Sequence, residues 1–132
     1  MLKGAFFTIQ SQKPTVILEE TGEKQHFTVQ LKLNPLHPIY KGHFPGNPVV
    51  PGVCQIMMMR EILEWVFGKS LMVVHAVQVK FMAAINPEVM QEVEMEIAVK
   101  QTEALNLEVS AVMVHQATAL FKFRGSLCSR PS

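Results

Sequence analysis

One stretch of this 132-residue chain, Gly52 to Phe67, carries a helical repeat, with Cys54, Met58, Ile62 and Trp65 at helical spacing and no internal Pro or Gly. Pro48 and Pro51 punctuate its start, and Gly68 followed by Lys69 supplies a left-handed terminator and a cation near the carbonyl end. Its apolar positions cover most of its circumference. A helix without a wet face must be buried on nearly every side, so the rest of the chain has to wrap around it.

The wrapping elements read as strands. Val93, Met95, Ile97 and Val99 alternate with Glu92, Glu94 and Glu96, the period-two pattern of a strand with one buried and one wet face. The alternation recurs in Val77, Val79 and Phe81, in Leu105, Leu107, Val109 and Ala111, and in Ala119, Phe121 and Phe123, which makes four antiparallel strands after the helix. Upstream, Phe27, Val29, Leu31 and Leu33 form a fifth, and the short apolar run Val16 to Leu18 before Gly22 is expected to form a sixth. Acidic residues on the Glu92 strand are expected to pair with basic ones on its neighbours across a solvated face. The architecture implied is α+β, one long antiparallel sheet curled around one central helix, in a single domain over residues 1–132.

Composition excludes several function classes. Twelve Lys and Arg against eleven Asp and Glu leave a net charge of +1, which gives no whole-chain attraction to nucleic acid or anionic lipid. No apolar run approaches the roughly 18 residues of a membrane span, and Met1 to Phe7 lacks the pattern of a secretory signal, so a cytoplasmic location is expected. Cys54 and Cys128 fit no metal or redox spacing and are expected to be free thiols. His26, His37, His75 and His115 have no site-like context, and no metal or cofactor is implied. With 48% apolar residues and a mean hydropathy of +0.20, a domain this small is expected to turn some apolar surface toward another subunit.

The least generic segment is Lys41-Gly42-His43-Phe44-Pro45-Gly46-Asn47-Pro48-Val49-Val50-Pro51-Gly52-Val53. Three prolines fix their own torsions and push the preceding residues toward extended geometry, so the loop is stiff enough to hold an imidazole in place. Gly52 opens the helix, where unpaired N–H groups and the positive dipole end polarise a carbonyl oxygen. A base beside an oxyanion site is the chemistry this pattern points to.

From His43 to Val53 the segment resembles the signature of the hotdog-fold 3-hydroxyacyl-(acyl carrier protein) dehydratases, and the order of elements resembles that family over nearly the whole chain. The resemblance implies a hotdog fold and a substrate that is an acyl thioester of acyl carrier protein or coenzyme A. It assigns His43 as the base that takes the C2 proton and the Gly52 N–H as the donor to the thioester carbonyl. Phe44, Pro51, Val53 and Met57 are expected along the acyl channel. The family's acid stands fourteen positions after the histidine, and here that position is Met57, which carries no transferable proton. Glu61, one turn further on, is the alternative acid only with rearrangement, because about 5–6 Å along the axis separates the two positions. Arg60, Glu61 and Glu64 read more simply as an ion cluster at a subunit boundary.

Family members build each site across a twofold interface. A homodimer of this chain would oppose His43 to Met57 at both sites, whereas a heterodimer with an acid-bearing relative would have one complete site. The leading expectation is a (3R)-3-hydroxyacyl-acyl carrier protein dehydratase, as a homodimer or with such a partner, and composition does not choose between the two. A non-catalytic subunit that grips acyl chains is the alternative, and a thioesterase on the same fold comes third.

Overall fold

The computed structural model describes residues 1–17, 22–42, 46–102 and 106–131. In chain order the elements are β1 (Phe7–Ile9), β2 (Gln25–Leu33), the four-residue α1 (Ile39–Gly42), α2 (Gly52–Phe67), β3 (Leu71–Phe81), β4 (Glu92–Gln101), β5 (Asn106–His115) and β6 (Thr118–Ser129). The six strands form one antiparallel sheet in the order β1-β2-β4-β5-β6-β3.

Register explains how the sheet encloses α2. Val29 on β2 faces Met95 on β4, Met95 faces Met113 on β5, Met113 faces Phe121 on β6, and Phe121 faces Phe81 on β3. The first four are fully buried and make one apolar row across the inner face. Met58, Met59, Ile62 and Leu63 of α2 are buried with them in a single core cluster. Burying each such side chain stabilises the fold by roughly 1.5–3 kcal/mol, and these contacts hold helix and sheet together. Gly68 ends α2 in the left-handed conformation (φ 65°) and donates its N–H to the Glu64 carbonyl, as the terminator in the sequence implies.

The row does not stay buried to its end. Phe81 is 51% exposed and Val79, which faces core residue Phe123, is 36% exposed. Val74 and Val77 are exposed as well. As the last strand in the sheet order, β3 carries apolar residues where edge strands usually carry charge.

Several expectations need correction. Val16 and Ile17 form no strand, because the N–H and carbonyl of Ile17 are taken by the side-chain amide of Gln25. Residue 18 lies outside the described residues, as does Leu105, and β5 begins at Asn106. The sixth strand is instead β1, paired with the Leu31–Leu33 end of β2. β3 starts six residues before Val77, its register shifting between Val73 and His75 and again between Ala76 and Gln78, which breaks the period-two pattern. Of the expected cross-strand charge pairs, the register sets Lys32 opposite Glu92 and Lys100 opposite Glu108, the latter closing at 3.6 Å, while Gln30 and Thr28 stand opposite Glu94 and Glu96. Cys54 and Cys128 are free thiols, as expected. Among the described residues no helix is long and apolar enough to cross a membrane.

Candidate active site

His43 and Phe44, the expected base and its neighbour on the channel, lie outside the described residues, with Pro45 between them and Gly46. The other half of the expected site is the turn that leads into α2. Pro51 caps the helix in extended geometry (φ −61°, ψ 146°) with no side-chain hydrogen bond. The Pro51 carbonyl accepts the N–H groups of Cys54 and Gln55, at 3.0 and 3.2 Å. Among the described residues the N–H groups of Gly52 and Val53 meet no acceptor, as is usual for the first donors of a helix.

The turn is held from both sides. Val50 donates its N–H to the Ile85 carbonyl at 2.9 Å, which ties it to the segment after β3. The Val50 carbonyl accepts the Gln55 Nε2–H at 3.2 Å, which ties it to α2. Over this turn opens a cleft of about 620 Å³ lined by Val49, Val50, Gly52, Gln55, Phe81, Met82, Ala83 and Ala84. Its walls are apolar apart from the Gln55 amide and the backbone. A side chain at position 52 would put its Cβ 2.8 Å from the Phe81 ring, so glycine is what lets the ring lie against the helix start. Phe81 in turn stacks on Phe121, with ring centroids 5.7 Å apart.

The remaining expected residues lie elsewhere. Val53 is 64% exposed and Met57 half-buried; at i and i+4 they share one face of α2. Pro51 is half-buried at the cap. None of these three is among the cleft's walls. Glu61 is not brought to the cleft either, being about 13.5 Å along the axis from Gly52. Its carboxylate is 2% exposed and accepts the Leu2 N–H on both oxygens, at 2.9 and 3.0 Å, and the Lys3 N–H at 2.9 Å. It pins the segment ahead of β1 to the helix, a structural task that occupies both oxygens. The ion cluster is correspondingly smaller than expected: Arg60 pairs with Glu64 at 3.3 Å, Glu64 also accepts the Leu71 N–H, and Glu61 takes no part.

Phe81 and Gln55, like Met82, Ala83 and Ala84, are cleft residues that the sequence does not single out as part of a site. Phe81 closes the Val77 alternation and reads as one more core residue, and Gln55 carries no signal beyond being polar in the apolar first half of the helix. Gln55 is 3% exposed, and its Oε1 has no hydrogen-bond partner among the described residues. A buried unpaired acceptor costs about 1–3 kcal/mol. The Tyr40 hydroxyl is similarly orphaned, and its phenol is held above its usual range by burial and by the nearby Cys54 thiol. Burial also raises the Cys54 thiol, which keeps it protonated and unreactive near neutral pH. His37 accepts the Ile39 N–H on Nδ1, and His115 bonds the Glu92 carbonyl through Nδ1, both local structural roles. Among the described residues no three His, Cys, Asp or Glu side chains converge as a metal-holding group.

Comparison with known proteins gives this geometry a context. Residues 19–121 match the ApeI-like family model, described as ApeI dehydratase. The 3-hydroxyacyl-[acyl-carrier-protein] dehydratase FabZ of Erythrobacter litoralis is 25% identical over 122 residues, covering 86% of this chain and 80% of that protein. FabZ of Caulobacter vibrioides is 30% identical over 89 residues, or 67% of this chain. The chain spans about half the length of the Caulobacter relatives it matches. Among solved structures, the dehydratase heterocomplex ApeI:P from Xenorhabdus doucetiae has a TM-score of 0.56 at 19% identity, covering 80% of this chain and 94% of that one. An apo-hexameric acyl-CoA thioesterase has a TM-score of 0.53 at 12% identity, covering 83% of this chain and 70% of that one. These structural likenesses establish the hotdog fold.

Proposed function

The chain belongs to the ApeI-like dehydratase family, and from that premise we propose that it is the histidine-bearing subunit of a (3R)-3-hydroxyacyl thioester dehydratase that acts in the cytoplasm. In the proposed reaction His43 takes a proton from C2 while the Gly52 N–H receives the charge that grows on the thioester oxygen. The C3–O bond breaks, and the departing hydroxyl takes a proton from an acid and leaves as water, giving a 2-enoyl thioester. The apolar cleft over Gly52 is the observation that carries this reading: it sets a backbone N–H that meets no acceptor among the described residues beside room for an acyl chain.

This chain supplies no acid where its family resemblance expects one, since Met57 has no proton to give and the Glu61 carboxylate is occupied. We therefore place the acid on a second, related hotdog subunit, docked against the uncovered apolar row of β3 and the Val53–Met57 face of α2. A solved structural neighbour that is itself a dehydratase heterocomplex fits such an arrangement.

The test is hydration of a crotonyl thioester, carried on acyl carrier protein or coenzyme A. The chain is assayed alone and mixed with an acid-bearing hotdog protein encoded nearby. Turnover is expected only in the mixture and is expected to fall about 100-fold or more with His43→Ala. Met57 also favours a second reading, an acyl-binding subunit without chemistry of its own. Under that reading His43→Ala leaves the partner's turnover and the acyl-thioester affinity intact.

A further inference from the structure

Two polar side chains are buried among the described residues, Gln55 and Glu61. Glu61 has its carboxylate filled by backbone N–H groups, but Gln55 makes one bond and leaves one atom empty. The reason lies in the partner. The Val50 carbonyl can only accept, so the Gln55 amide must turn its N–H toward Val50, which forces Oε1 to the opposite side, where no donor stands among the described residues. Methionine or leucine would fill the same space without the orphaned carbonyl. What the amide adds over an apolar side chain is its hold on Val50.

That hold reaches the reactive backbone through a short, stiff path. Between the Val50 carbonyl and the Gly52 N–H stands Pro51 alone, with its φ locked by the ring at −61°. The Ile85 carbonyl and the Gln55 amide hold the two peptides on either side of Val50, and the Pro51 carbonyl, held by the Cys54 and Gln55 N–H groups, sets the plane of the peptide that carries the Gly52 N–H, so that N–H is fixed from both ends. We propose that Gln55 is a positioning residue that aims the Gly52 N–H at the substrate's thioester oxygen by gripping the carbonyl of Val50. The proposal rests on the role given to Gly52 above.

Two variants and one measurement independent of turnover test it, using the chain with its partner subunit. Gln55→Met is expected to melt close to the wild-type temperature, because it removes one orphaned acceptor, the Gln55 Oε1, and leaves another, the Val50 carbonyl. Its kcat is expected to fall about tenfold or more with KM changed by less than about threefold, since the lost alignment acts on the transition state. Gln55→Glu adds a readout that a packing role would not move. A neutral carboxyl can donate its O–H to Val50 but a carboxylate cannot, and burial raises a carboxyl's pKa. The ratio of Gln55→Glu turnover to wild-type turnover should therefore rise as pH falls, while the Gln55→Met ratio stays flat. Independently, hydrogen exchange at the Val50 amide should quicken about tenfold in Gln55→Met, with the core amides of β4 and β5 unchanged. Full kcat in Gln55→Met, a pH-independent ratio for Gln55→Glu, or unchanged protection at Val50 would each overturn the proposal. A wild-type pair without turnover counts against the dehydratase reading, and the exchange measurement then decides the positioning on its own.

Discussion

A carboxylate taken out of water needs N–H groups to replace its hydration, and the backbone of Leu2 and Lys3 supplies them to Glu61. Glu61→Gln keeps the shape but gives up the charge and turns an NH₂ toward these donors. It is expected to lower the unfolding free energy by about 1.5–3 kcal/mol, measured by urea denaturation, with turnover per folded molecule unchanged. At Tyr40 the sign reverses. Tyr40→Phe removes an orphaned hydroxyl and is expected to stabilise by about 1 kcal/mol. The raised phenol and the raised Cys54 thiol both favour folding while they stay neutral. Their contribution is complete below the pKa values of the unfolded chain and is lost as pH climbs through the higher folded ones. Stability should therefore decline above about pH 9, and the Tyr40→Phe, Cys54→Ala double variant should show a flatter alkaline limb. These roles were hidden in the sequence for a common reason. The partners of Glu61 are backbone groups 58 and 59 positions away, and main-chain N–H groups leave no trace in residue identity.

Among the elements, α2 was legible to its ends, because a terminating glycine and a proline cap bracket an apolar segment; its apolar circumference overstated its burial, since the face of Val53 and Met57 is left uncovered. β4 was equally legible, since one face meets the core and the other meets water. β3 was only half legible. Its two register shifts move residues off the alternation, and its apolar row is left uncovered, so periodicity located the strand but misjudged what covers it. The bulged pairing also depends on Gly125, where a Cβ would stand 2.2 Å from the His75 carbonyl oxygen. That contact is with backbone, so Gly125→Ala has to push β3 away from β6. It is expected to cost about 3 kcal/mol or more, read as a drop in melting temperature with loss of exchange protection along β3. The exposed edge behaves differently. Val74→Lys with Val77→Lys is expected to change the stability of the isolated chain by less than about 1 kcal/mol. Sedimentation should then show that it no longer associates with its partner.

Taken whole, the chain is a wrapped helix whose last inner row runs out of cover where Gly52 opens α2. The loop signature ahead of the helix located that region in the sequence. The cleft walls Phe81 and Gln55 escaped because they come from a strand end and a helix turn brought together only by folding. On this account the site lacks one group, an acid, and Met57 stands where the family resemblance places it. The most direct measurement is hydration of a crotonyl thioester by Met57→Glu, assayed without any partner. The account expects partner-independent turnover at least about tenfold above that of the wild-type chain alone, and expects Met57→Glu combined with His43→Ala to lose it. An inactive Met57→Glu that still folds and associates, or a wild-type chain that alone turns over as fast as Met57→Glu, would contradict it.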